Sequence, residues 1–274
     1  MGRVITERHP ERPPLDVRGL NRALVDGGLW RAVRVVDETG STNADVAELA
    51  RSGEPEGLVL VAEYQNAGRG RLGRTWTAPP RSGLSFSILL RPDDVPVATW
   101  TLLPLLVGVA VAEAVTAVAP DVPVGLKWPN DLLVGDRKLA GILAERVDSP
   151  VGPAVVVGIG LNVSLNEHEL PLPTATSLAI AGAGHIDRDI VLRAVLSAIA
   201  HSYAAWRAGS GDGVPVLAAY RELCVTLGRD VRVELGGDQI VGGRAVEIGS
   251  DGSLVVETPA GRRSVSAGDV VHVR

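Results

Sequence analysis

Residues 68–76 read GRGRLGRTW, placing Arg69, Arg71 and Arg74 among glycines and just ahead of Trp76. Guanidinium groups offer planar forks of donors that match phosphate or carboxylate oxygens. Gly68, Gly70 and Gly73 let the backbone come close to a ligand. The segment suits an anion clamp, although taken alone it also fits a solvated surface turn or a grip on a nucleic-acid backbone. A second group follows in KWPNDLLVGDRK, where Lys127, Asn130, Asp131 and Lys138 fall within twelve residues. Two lysines beside an arginine loop suit a polyanion. By itself, however, this group also reads as a turn with a flanking lysine.

Several chemistries find no support. No Gly-Lys pair occurs, so there is no Walker A phosphate loop, and GIGLNV lacks the third glycine of a dinucleotide fingerprint. His9, His168, His185, His201 and His272 are isolated from one another, without metal-ligand spacing. No Gly-x-Ser-x-Gly elbow is present, and Cys224 is the only cysteine, so neither a nucleophile motif nor an internal disulfide can be read.

These groups need a frame. A helix is predicted from Leu15 to about Asp26, then a strand around RAVRVVDET. A short helix follows in GSTNADVAELARSG, capped by Ser41, Thr42 or Asn43 and stopped by Gly53. GLVLVAEYQ reads as a buried strand, and GLSFSILLRP alternates Leu84, Phe86, Ile88 and Leu90 against Ser85 and Ser87. The arginine loop lies between these two strands. A core helix is expected over Trp100–Val118, strands with a Gly135-Asp136 turn over 124–147, and another strand over GPAVVVGIGLNVSL. Asp187 is placed to cap a long helix, and a shorter helix over about Val214–Cys224 closes this region. From Thr226 short strands alternate with glycine-rich turns, the texture of a small β-barrel.

The chain has 274 residues and a net charge of −5, which disfavours a surface built mainly to hold nucleic acid. Its first 14 residues are charged and proline-rich without an apolar signal core, and they read as a disordered, dispensable leader. The longest apolar run is interrupted by Glu113 and carries Pro104, so no membrane span is expected and the compartment is expected to be the cytoplasm.

GSTN (40–43), AEYQNAGRGRLGRTW (62–76), KWPNDLL (127–133), RKLAGIL (137–143) and GIGLNV (158–163), taken in order, resemble the biotin protein ligases. The resemblance spans roughly residues 30–274. It implies an α+β fold with a mixed sheet and flanking helices, related to class II aminoacyl-tRNA synthetases, over 15–225 after the 1–14 leader. An SH3-like barrel is implied over 226–274.

It also implies a two-step reaction, in which biotin and MgATP give biotinyl-5′-AMP and a lysine of the biotin carboxyl carrier domain of acetyl-CoA carboxylase then takes the biotinyl group. Lys138 and Arg71 would be catalytic, with Lys138 touching both the biotin carboxyl and the α-phosphate. Ser41, Thr42, Asn43 and Gln65 would bind the ureido ring, and Arg69, Gly70, Arg71, Gly141, Gly158 and Gly160 would line the biotin path. Arg69, Arg71, Arg74, Trp76, Lys127, Asn130 and Asn162 would hold the adenylate, with Trp76 near adenine and Asp131 on magnesium. Bifunctional relatives carry a DNA-binding domain ahead of this region, and only about 40 residues precede STN here. No DNA partner is therefore expected, and the chain is expected to act as a monomer or weak homodimer. A lipoate ligase of related fold and a nucleic-acid-binding regulator are the competing readings.

Overall fold

A computed structural model describes residues 12–236 and 239–273. Its larger part is a seven-stranded mixed sheet built from β1 (Ala32–Val36), β2 (Leu58–Ala62), β3 (Gly83–Leu90), β4 (Val124–Lys127), β5 (Asp131–Val134), β6 (Arg137–Val147) and β7 (Ala154–Asn162). The strands lie in the order β1-β2-β3-β7-β6-β5-β4; β1 and β2 are parallel and every other pair is antiparallel.

Sequence pattern decides which way each strand faces. All five residues of β2 are buried, as a continuous apolar run covered on both faces requires. In β3 Leu84, Phe86, Ile88 and Leu90 join the main core under α1 (Val17–Leu24), α3 (Leu103–Val118), α4 (Arg188–Ala208) and α5 (Val214–Leu223). Ser85 and Ser87 point to the opposite face, which α2 (Thr42–Arg51) partly covers with Val46, Ala47 and Ala50. That second face carries the candidate site.

Val97–Val118 is long and apolar enough by composition to cross a membrane, but here it is mostly buried within the protein, against α4 and the sheet. Pro104 sits in the first turn of α3, where a missing N–H costs nothing. Asp187 caps α4 by accepting a hydrogen bond from the Asp189 amide at 2.8 Å. Gly135, at φ +59°, and Asp136 form the two-residue turn between β5 and β6.

Residues 226–273 form a separate five-stranded antiparallel sheet of β8 (Asp230–Glu234), β9 (Ile240–Ile248), β10 (Leu254–Thr258), β11 (Gly261–Val265) and β12 (Asp269–His272). The strand order is β11-β10-β9-β8-β12, and its two outer strands do not pair with each other. The barrel expected from this texture is thus not closed, since short strands and turns are local properties and closure is not.

Most of the expected leader, residues 1–11, lies outside the described residues. Its last residues are held in place. Arg12 makes a two-pronged contact with Glu169 at 2.6 and 3.1 Å, and the Pro13 carbonyl accepts from Arg188 at 2.6 Å. Deleting residues 1–14 should therefore lower the urea midpoint, and an unchanged midpoint would show these contacts to carry no stability.

Candidate active site

β3, β7 and β6 lie side by side, and their register brings Ser87, Gly158 and Leu143 into one row and Ser85, Gly160 and Gly141 into the next. A Cβ on Gly158 would lie 2.2 Å from Asn43 Oδ1, and one on Gly160 would lie 2.3 Å from the Trp76 ring. Only glycine lets side chains from α2 and from the arginine loop lie flat on the sheet at these two points.

Above this floor is a cavity of about 710 Å³. Every residue given a site role by the family resemblance lines it, namely Ser41, Thr42, Asn43, Gln65, Arg69, Gly70, Arg71, Arg74, Trp76, Lys127, Asn130, Asp131, Lys138, Gly141, Gly158, Gly160 and Asn162, whereas Gly68 and Gly73 of the arginine loop do not. Lys127 and Lys138 are the only lysines in the chain.

One end of the cavity is neutral and polar. Ser41, Thr42 and Asn43 open α2 and are buried. The Thr42 amide donates to Gln65 Oε1 at 2.8 Å, which satisfies one of the helix's unpaired first-turn N–H groups. Asn43 donates to Glu145 Oε2 at 2.7 Å, and Ser87 Oγ donates to Asn43 Oδ1 at 2.7 Å.

The middle is cationic. Lys138 Nζ pairs with Asp131 Oδ1 at 2.6 Å and lies 5.9 Å from the centre of the Trp76 ring. Arg71 donates to Asn130 Oδ1 at 3.1 Å; burial pulls its pKa below the ordinary arginine value, with Asp131 and Asp269 opposing the shift. A guanidinium held out of water without a direct carboxylate partner favours an incoming anion. Arg74 is tied to Asp269 of β12, so the arginine loop spans from the large sheet to the C-terminal one.

Two amides line the cavity as well, Asn130 beside Ile142 and Asn162 at the end of β7. Asn130 donates to the Ile142 carbonyl at 2.7 Å. Asn162, 3% exposed, donates to the Thr176 carbonyl at 2.8 Å, which leaves Oδ1 buried with no partner. A buried acceptor without a donor is costly, and a ligand N–H would relieve it. Among the described residues no group of three or more His, Cys, Asp or Glu is arranged to hold a metal.

Sequence reasoning did not find Ser87, Glu145, Arg229, Asp269 or His272. The serine alternation in β3 was the one available signal, and the last three enter from the C-terminal sheet. His272 supports the junction between the two parts. Its Nδ1 lies 3.3 Å from Arg229 Nη1, an obligate donor, so Nε2 carries the proton and donates to Thr226 Oγ1 at 3.2 Å. Thr226 Oγ1 also accepts from the Trp128 amide at 3.0 Å, bracing the Lys127–Asp131 turn.

Burial and the nearby charges of Lys127 and Arg229 lower the His272 pKa from 6.5 to about 4, with Asp136 opposing. The unfolded chain therefore takes up a proton below pH 6.5 that the folded chain refuses until about pH 4. Stability should fall across that window as pH drops, and His272→Gln should flatten the decline in urea midpoints measured from pH 7 to 5. An unchanged slope would remove His272 as its source.

Residues 34–162 match the family described as biotin/lipoate A/B protein ligase, and residues 226–273 match the biotin protein ligase C terminal domain. The chain is 44% identical to the biotin–[acetyl-CoA-carboxylase] ligase of Mycobacterium tuberculosis, over 98% of this chain and 100% of that protein. It is 33% identical to the bifunctional ligase/repressor BirA of Escherichia coli K12, over 85% of this chain and 70% of that one. The solved structure of biotin protein ligase from Aquifex aeolicus in complex with biotin and ATP superposes with a TM-score of 0.76 at 29% identity, covering 89% of this chain and 100% of that one.

Proposed function

The chain belongs to the biotin protein ligases, and on that premise we propose that it joins biotin to ATP and passes the biotinyl group to a lysine of a biotin carboxyl carrier domain. In the first step a carboxylate oxygen of biotin attacks the α-phosphorus, diphosphate leaves, and biotinyl-5′-AMP forms. In the second, the acceptor amine attacks the acyl carbon, AMP leaves, and the amine gives up a proton as the amide forms.

The observation that carries this reading is the order of groups along β7: Asn43 over Gly158, Trp76 and Lys138 over Gly160 and Gly141, and the unpartnered Asn162 at the strand's end. Biotinyl-AMP has the same order, with ureido ring, acyl phosphate and adenine. Two anions must meet in the first step, and fixed cations offset both their repulsion and the charge that grows in the transition state. Lys138 takes that central role, with Arg71 and Arg69 beside it. Asn162 Oδ1 and Asn130 take the adenine end, where an exocyclic amine supplies the missing donor. Trp76, flat on Gly160, walls the chamber between acyl and nucleotide groups.

Magnesium enters with the triphosphate and needs only one or two protein carboxylates, which fits a cavity where Asp131 stands beside Lys138. The ion would neutralise phosphate charge, and Asp131 would exchange its lysine contact for it. Consumption of ATP and a carboxylase acceptor fit a cytoplasmic protein. The five short antiparallel strands of 226–273, with the register shift between Val255 and Val256, fit an SH3-like unit.

Lipoate presents an apolar dithiolane in place of a ureido ring, and a cavity end made of Ser41, Thr42, Asn43 and Gln65 disfavours it. Incubation with ATP, magnesium and equal biotin and lipoate, followed by mass spectrometry, should yield biotinyl-AMP. Lipoyl-AMP as the main product would overturn the reading.

A further inference from the structure

The polar end of the cavity contains more short contacts than it has hydroxyl protons. Thr42 Oγ1 lies 3.1 Å from Gln65 Oε1 and 2.8 Å from Ser87 Oγ, and Ser87 Oγ lies 2.7 Å from Asn43 Oδ1. Three contacts share two protons. What settles their direction is Glu145 on β6. A carboxylate only accepts, so the Asn43 amide must turn its nitrogen toward Glu145 Oε2, at 2.7 Å, with the Leu143 carbonyl as a weaker second acceptor at 3.4 Å.

Asn43 then shows its oxygen to Ser87, and Ser87 must donate to it. The Thr42–Ser87 contact can only use the Thr42 proton. The relay runs one way, from Thr42 through Ser87 and Asn43 to Glu145. Two consequences reach the cavity. Thr42 Oγ1 keeps a lone pair facing the ligand, and Gln65 Oε1 is satisfied by the Thr42 amide alone at 2.8 Å.

We infer that Glu145, through Asn43 and Ser87, is a positioning residue that sets the donor and acceptor pattern of the biotin end and so selects a head group that donates N–H there. This rests on the assignment of that end to biotin's ureido ring. A ureido ring has two N–H donors and one carbonyl acceptor. Thr42 Oγ1 and the second lone pair of Asn43 Oδ1 suit the donors, while the Gln65 amide nitrogen suits the carbonyl. Glu145 itself does not line the cavity. Its effect is exerted wholly through the orientation of others.

Glu145→Gln keeps size and shape but lets position 145 donate. Asn43 can then flip, Ser87 receives a proton from it, and the relay reverses so that Thr42 Oγ1 accepts from Ser87 and loses its lone pair to the cavity. Each unpaired buried polar group costs enough to weaken binding about 10- to 100-fold. The expected result is a rise of that size in KM for biotin, with KM for ATP and kcat at saturating biotin unchanged. Calorimetric titration of biotin into the full-length variant should show the same loss.

If wild type forms biotinyl-AMP and Glu145→Gln, folded to the wild-type urea midpoint, keeps the wild-type KM for biotin, the inference is overturned. A parallel fall in kcat together with both KM values moving would also overturn it, by showing a merely structural role. Failure of the wild type to form any biotinyl-AMP would instead overturn the parent assignment.

Discussion

Lys138→Ala should form biotinyl-AMP roughly 100- to 1000-fold more slowly than wild type, the usual loss when one preorganised donor to a developing charge is removed. The ammonium stands where carboxylate and α-phosphate meet, so it should be worth more in the transition state than in the ground state, and biotin affinity should fall far less than rate. The ion pair with Asp131 at 2.6 Å holds the ammonium in place before any anion arrives. Lys138→Arg should not restore full activity, because a planar fork cannot place a compact charge between two oxygens. Chemically made biotinyl-AMP should partly rescue carrier biotinylation by the alanine variant, since charge neutralisation matters most in the step already completed. A near wild-type single-turnover rate of adenylate formation would reduce Lys138 to a lysine beside a turn.

The second large effect is on stability. Glu63, at the end of β2, and Arg188, at the start of α4, pair at 2.6 Å with side chains 3% and 8% exposed. Glu63 Oε1 also accepts from the Leu15 amide at 2.8 Å, and Arg188 reaches the Gly83 and Pro13 carbonyls. Arg188→Ala would leave a buried carboxylate with its main countercharge gone, and loss of one partner of a buried pair costs about 3–5 kcal/mol. Urea denaturation should show a loss of that order. Because Glu63 is two residues from Gln65, KM for biotin should also rise in the fraction that stays folded. A change below about 1 kcal/mol would mean that water or another cation replaces the guanidinium.

The local chemistry of the site was legible because its residues cluster in sequence. The arginine loop and the Lys127–Lys138 stretch suggested an anion site by residue type and spacing, the Ser41–Asn43 helix start took its role only from the family resemblance, and the seven sheet strands follow the apolar pattern. The serines of β3 showed a strand with one polar face but not what lay on that face. Glu145, Asp269 and Arg188 were invisible for a common reason. Arg74 meets Asp269 across 195 positions, Asn43 meets Glu145 across 102, and Glu63 meets Arg188 across 125. Such pairs are made by packing of whole elements, and no local pattern encodes them. The unclosed C-terminal sheet is a similar case, since the texture of short strands and turns was readable and the pairing of the outer strands was not.

Both lysines of the chain line the cavity, whereas the salt bridges found outside it are made by arginine. Amines react with activated esters and guanidiniums do not, so the protein's chemical profile is the inverse of an ordinary enzyme's, with its side-chain amines gathered in the cavity. A mild amine-selective reagent applied to the folded protein therefore acts as an occupancy meter, marking Lys127 and Lys138 when the chamber is open and sparing them when biotinyl-AMP fills it.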